Sequence, residues 1–139
     1  MTGKNTVLGG GGFHHVALRA RDFDASVKFY TAGLGFTERI AWGEGNGRAV
    51  MLDTGDGNYL EIFAGGSGEP RPEGALLHFA LRTNDCDAAT ARAVAAGAML
   101  TMPAKDVHIQ SRPGPTPVRI SFCQGPDGEV IEFFQNELT

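Results

Sequence analysis

The stretch His15-Val-Ala-Leu-Arg-Ala-Arg-Asp-Phe-Asp-Ala25 returns 63 residues later as His78-Phe-Ala-Leu-Arg-Thr-Asn-Asp-Cys-Asp-Ala88, with seven of eleven positions identical. A second pair of segments follows in the same order. Asp56-Gly-Asn-Tyr-Leu-Glu-Ile-Phe63 matches Asp127-Gly-Glu-Val-Ile-Glu-Phe-Phe134 at an offset of 71, an offset that Arg48 and Arg119 share. Two matched blocks in one order mark an internal repeat, and a repeat outranks any local reading of the chain. The change from 63 to 71 makes the second copy eight residues longer. The Pro-rich stretch Met102 to Val118, with Pro103, Pro113, Pro115 and Pro117, is where a loop is expected to absorb them.

Each copy reads as one βαβββ module. Phe13 to Ala20 alternates as a strand does, with His15, Ala17 and Arg19 on one side and Val16 and Leu18 on the other. Asp22 is placed to cap a helix carrying Phe23, Val27, Tyr30 and Leu34, with Gly33 and Gly35 available to stop it. Phe36 to Trp42, Arg48 to Leu52 and Asn58 to Phe63 read as three strands, the last two joined around Gly55-Asp56-Gly57. In the second copy the order repeats: strand Leu76 to Arg82, helix Asp85 to Ala96 closed by Gly97, then strands Ala98 to Met102, Val118 to Cys123 and Glu129 to Gln135. Pro126-Asp127-Gly128 marks the last turn. The expected fold is α+β, with modules 13–63 and 75–134 building a curved, mostly antiparallel sheet. Residues 1–12, ending in Gly9 to Gly12, read as a flexible arm ahead of a single domain, 13–139.

The composition excludes several classes. At 139 residues and 42% hydrophobic, the chain holds a core without disulfide staples, and 20 glycines with 7 prolines are turn-rich but short of low complexity. Twelve basic against sixteen acidic side chains give a net charge of −4, which argues against a nucleic-acid or anionic-membrane partner. No apolar run approaches the roughly 20 residues of a membrane helix, and Met1 to Gly12 lacks the apolar stretch of a signal peptide. A cytoplasmic location is the resulting expectation. Cys86 and Cys123 are too few for a disulfide framework or a thiolate zinc site, and neither has the base partner of a nucleophile.

The repeat puts His15 and His78 at one position of the first strand, and Glu61 and Glu132 at one position of the last. Modules packed about a pseudo-twofold axis would bring the four to one point. Two imidazoles and two carboxylates suit a divalent ion at about 2.0–2.2 Å, with zinc, nickel, cobalt, manganese and iron(II) all admissible. Alternation sets Glu61 beside Tyr59 and Phe63, and Glu132 beside Val130 and Phe134, where an unpaired carboxylate is costly to bury. Alternatively, each glutamate points to solvent from a half-exposed strand. Arg119 is in reach of an anionic substrate or, as the twin of Arg48, has a shared structural role. His108, with Lys105 in the Pro-rich stretch, belongs either to a lid over the metal, where it contacts the substrate, or to a solvated loop.

His15-Val-Ala-Leu-Arg, Asp22, Ser26, Phe29-Tyr30, Leu34-Gly35-Phe36 and the closing Gly125-Pro-Asp-Gly-Glu-Val-Ile-Glu-Phe133 together resemble the vicinal oxygen chelate superfamily. That superfamily holds glyoxalase I, bleomycin- and fosfomycin-resistance proteins, methylmalonyl-CoA epimerase and extradiol dioxygenases. The resemblance spans Phe13 to Phe134 and implies metal ligands at His15, Glu61, His78 and Glu132. A carboxylate at Glu61 completes the set of bacterial glyoxalase I. It implies a metal-dependent lyase or isomerase that moves a proton through a metal-stabilised enediolate, with Glu132 as base and Glu61 sharing or exchanging the role. Arg19 falls where that family binds glutathione, yet the segment after Glu61 lacks the family's Asn and Gly74 replaces a second arginine. Arg82, the twin of Arg19, offers the structural alternative for both. The other readings the resemblance leaves are a metal-free drug- or metabolite-binding protein and an iron(II) extradiol-type dioxygenase. The partner implied is a small oxygenated metabolite, and open edge strands suggest a homodimer with the metal site within one chain or shared by two.

Overall fold

A computed structural model describes residues 6, 7, 9, 13–68 and 76–139. The expected arm, residues 1–12, lies largely outside the described residues, as does Gly74.

The first module runs β1 (His15–Arg19), α1 (Phe23–Lys28), β2 (Thr37–Trp42), β3 (Ala49–Asp53) and β4 (Tyr59–Phe63). The second runs β5 (Phe79–Arg82), α2 (Cys86–Ala95), β6 (Met99–Ile109), β7 (Thr116–Gln124) and β8 (Val130–Gln135). Each module makes its own four-stranded sheet, ordered β1-β4-β3-β2 and β5-β8-β7-β6. The α+β class is as expected, carried by two sheets. Within each, two strand pairs are antiparallel, while the first strand runs parallel to the last.

Both helices start on the caps expected of them: Asp22 accepts the backbone N–H of Ala25, and Asp85 that of Ala88. The first helix changes pitch after Lys28 and finishes as a π-helical turn over Phe29–Gly33, before Gly35 takes a φ of +80°. The eight extra residues do not form a loop. They lengthen a hairpin instead: β6 is 11 residues long and stays paired with β7 out to Ile109 and Thr116. Pro103 is accommodated because β6 is an edge strand and its register with β7 breaks between Met102 and Lys105, where no ladder donor is needed.

One core serves both modules. Phe29, Tyr30, Phe36, Val50, Leu52, Leu60 and Ile62 from the first pack in a single cluster with Cys86, Ala93, Ala98, Cys123, Ile131 and Phe133 from the second. The helices meet there so closely that a Cβ on Gly33 would stand 2.6 Å from the Cβ of Ala96. A polar clasp closes the junction. Asp127 accepts the Ser26 hydroxyl at 2.6 Å and the Arg21 backbone N–H at 2.7 Å, and the Arg21 guanidinium donates to the Pro126 carbonyl. The back of each sheet, through Val16 and Leu18 or Phe79 and Leu81, rests on this core. The opposite face of each sheet is left open, and the two open faces look outward from the shared interior.

Candidate metal centre

Register decides what the open faces carry. In the first sheet, His15 stands level with Tyr59, Ala17 with Glu61, and Arg19 with Phe63. In the second, Ala80 is level with Glu132 and Arg82 with Phe134, and His78 lies one residue before β5. Paired residues share a face, so each open face carries one histidine and one glutamate. The His15 Nε2 lies 3.4 Å from Glu61 Oε2, and His78 Nε2 lies 3.1 Å from Glu132 Oε2. Two ligand bonds of about 2.1 Å meeting at angles between square and tetrahedral hold their donor atoms about 3.0–3.4 Å apart. Each pair therefore has the spacing of two neighbouring ligands on one ion.

Burial adds to this. Glu61 and Glu132 are each only 8% exposed, although they belong to open faces. Each has an imidazole as its sole side-chain partner among the described residues. Carboxylates so far from water require a cationic or hydrogen-bonding partner. The two imidazoles stay half-open, so both donors of a pair remain accessible from one side.

The four residues do not meet within one chain. Among the described residues no three His, Cys, Asp or Glu side chains gather closely enough to hold an ion. Convergence about a pseudo-twofold axis is thus corrected for the single chain. The modules join through their backs and helices, which turns the two His–Glu pairs away from each other.

Arg119 is not on an open face. It lies one residue off the Ile120 and Phe122 side of β7 and donates to Asp87 at 2.6 and 2.9 Å and to Asp106 at 3.1 Å. Those two carboxylates raise its pKa further, and its donation lowers that of Asp87. His108, level with Pro117, shares the Arg119 side and lines a shallow groove with Asp106, Gln135 and Glu137. Neither residue can reach Glu132 of its own chain through the sheet, so neither is placed to touch a substrate bound there. Arg19 is on the open face, but its guanidinium donates to the Ala64 carbonyl at 2.9 Å and lies 5.5 Å above the Phe63 ring. Trp42 packs edge-on against the same Phe63 at 6.2 Å. His14 sits at the strand end, its Nδ1 3.0 Å from that of His15. Burial pushes the Cys123 thiol up to about 11, which removes it as a nucleophile.

The chain belongs to the Glyoxalase/Bleomycin resistance protein/Dioxygenase superfamily, whose family model matches residues 12–133. It is 34% identical over 125 residues to the uncharacterized protein YwbC of Bacillus subtilis (strain 168), covering 87% of this chain and 94% of that one. Among solved structures it is similar in fold to a glyoxalase I mutant from Zea mays, with a TM-score of 0.72 at 22% identity. That match takes in 89% of this chain and only 44% of the maize protein. A mutant of FosX, the fosfomycin resistance protein from Listeria monocytogenes, complexed with Mn(II) and 1S,2S-dihydroxypropylphosphonic acid, matches with a TM-score of 0.68 at 19% identity. It is matched over 91% of each chain. Among the described residues no helix is long and apolar enough to cross a membrane.

Proposed function

We propose that the protein is a metal-dependent lyase or isomerase of the glyoxalase I type, active as a homodimer. His15 and Glu61 of one protomer would hold the ion together with His78 of the partner subunit and Glu132 of the partner subunit. The observation that carries this reading is the presence of two ligand-spaced His–Glu pairs on two outward faces of one chain. A twofold dimer that sets the first module against the partner's second completes two equivalent four-donor sites. The mixed nitrogen and oxygen set fits nickel, cobalt, zinc, manganese or iron(II).

When bound, the ion supplies Lewis acidity at adjacent substrate oxygens. The protein's own part is proton transfer. Glu132, buried beside Phe122 and one strand position from Phe133, takes the proton next to the substrate carbonyl and returns it to the neighbouring carbon. Glu61 occupies the equivalent place in the other module and shares that role. Phe63, Trp42 and Phe122 give the open faces apolar walls that exclude water once two faces close on each other. A metal-free binding protein would leave two shielded carboxylates with one imidazole each, which is why the metal reading is preferred. A ring-opening dioxygenase has no use for a fourth, carboxylate ligand at Glu61.

Metal content of untagged protein, followed by hemithioacetal isomerase assays with and without chelator, tests the proposal. Stoichiometric metal and chelator-sensitive turnover are expected. Sub-stoichiometric metal after incubation with nickel, cobalt, zinc and manganese would overturn the enzyme reading. Full occupancy without isomerase activity would keep the site and reject the glyoxalase I reaction.

A further inference from the structure

Arg19 and Arg82 occupy one position of the repeat, four residues beyond His15 and His78, yet their surroundings differ. Arg19 is held by the Ala64 carbonyl and the Phe63 ring. Arg82, exposed on the same open face as Glu132, makes no hydrogen bond or ion pair among the described residues. Its cross-strand rung runs Arg82, Phe134, Ile120, Lys105. Lys105 is exposed too and equally without a partner among the described residues. Among the described residues, one rung of the second open face therefore has an uncommitted cation at each end and an apolar floor between them. The neighbouring rung is Ala80, Glu132, Phe122, Met102, so the cationic rung lies roughly 7 Å along the sheet from the carboxylate of the candidate metal pair.

From this we infer that Arg82, assisted by Lys105, is the specificity-determining residue for an anionic group on the substrate, a carboxylate or phosphoryl-type group set several bonds from the oxygens that meet the metal. The inference rests on the metal reading above and deepens it by naming the substrate class. A guanidinium offers a planar fork of donors that matches such groups, and an apolar floor strengthens charge-assisted hydrogen bonds by keeping water away. Arg19 cannot serve equally, because reaching a ligand would cost it both of its present contacts.

The test uses the metal-loaded full-length dimer and two chelating probes, glutaric monohydroxamate and its uncharged methyl ester, compared by isothermal titration at low salt. The wild-type protein is expected to bind the charged probe about tenfold or more tightly than the ester, as a charge-assisted pair implies. R82Q should abolish that preference while leaving ester affinity within about twofold, R82K should restore part of it, and R19Q should leave it intact. Equal affinity for the two probes in the wild type, or a preference that survives R82Q combined with K105Q, overturns the inference. If neither probe binds protein of full metal content, the inference falls and the metal reading stands. Protein that retains no metal overturns both, and metal analysis separates the two cases.

Discussion

The Tyr30 hydroxyl donates to Glu129 Oε2 at 2.6 Å, joining the first module's helix to the second module's last turn. The other Glu129 oxygen accepts the Asp127 backbone N–H at 2.9 Å. Burial pushes the Glu129 carboxyl above its usual range, and burial together with the nearby carboxylate raises the Tyr30 phenol well above its own. A carboxyl whose pKa is higher folded than unfolded contributes stability that is complete below the ordinary Glu value, about 4.3, and is lost as pH rises through the raised value. Urea midpoints of wild type and Glu129→Gln across pH 4 to 7 should therefore differ most at the acid end, with the wild type's advantage shrinking as pH rises. Tyr30→Phe removes one of the two donors to the buried Glu129 carboxyl group and should cost about 1–3 kcal/mol at neutral pH. A neutral Tyr30→Phe would show that this contact does not hold the modules together.

The Gly33–Ala96 approach predicts a matched pair of variants. Gly33→Ala places two methyl groups 2.6 Å apart and forces the helices to separate, an overpacking expected to cost about 1–3 kcal/mol. Ala96→Gly in the same chain should recover most of that loss in urea denaturation, because it removes the atom that is struck. Additive losses in the double variant would place the damage elsewhere.

Shared sites predict complementation. Protein carrying His15→Ala and protein carrying His78→Ala should each be inactive and bind metal weakly. A mixed dimer, refolded from both, gathers both defects into one site and leaves the other intact. Isomerase activity and metal content should return to about half the wild-type value in the heterodimer. A site contained in one chain would show no recovery, and native mass spectrometry of the mixture confirms that mixed dimers formed.

Arg119 predicts the opposite of a substrate contact. Arg119→Met should leave metal content and turnover unchanged, because the side chain lies behind the sheet with Asp87 and Asp106. What changes is acid stability. Arg119 holds the Asp87 carboxyl below its ordinary value, so the stabilisation is present above the ordinary Asp pKa and lost as pH falls through the lowered one. Thermal unfolding between pH 5 and 2 should show a shallower acid dependence in the variant. A large drop in turnover at pH 7 would return Arg119 to the site.

The repeat made much of this molecule legible before any geometry. Strand alternation put His15 with Arg19 and Glu61 with Phe63 on one face, and the register agrees. Asp22 and Asp85 cap helices because a short acidic side chain ahead of an apolar run has few other uses. The relation between modules was not legible. A repeat specifies each module's inside, but whether two modules join through their open faces or their backs depends on small contacts such as Gly33 on Ala96 and Ser26 on Asp127, whose residues look unremarkable in sequence. The long hairpin was hidden for a related reason. Prolines read as loop formers, and only the edge position of β6 makes Pro103 harmless there. Arg82 was within reach of the sequence, since its even spacing from His78 fixes its face, but nothing in the sequence shows that it lacks the contacts of its twin.

Those twins diverged without either changing identity. The chain leaving β4 doubles back, with the Gly66 N–H bonded to the Ala20 carbonyl at 2.9 Å and the Ala64 carbonyl set over Arg19. Gln135, which closes β8, accepts the Cys86 N–H at the start of α2 through its side chain, and no described residue beyond it bonds Arg82. The described residues that follow each last strand thus differ in what they offer the arginine beside them. Aligning the two halves would score this column as invariant, although the two arginines differ in their contacts. In ancestral duplications of this kind, the traces of new function are to be sought in the segments that flank a retained residue as much as in the residue itself.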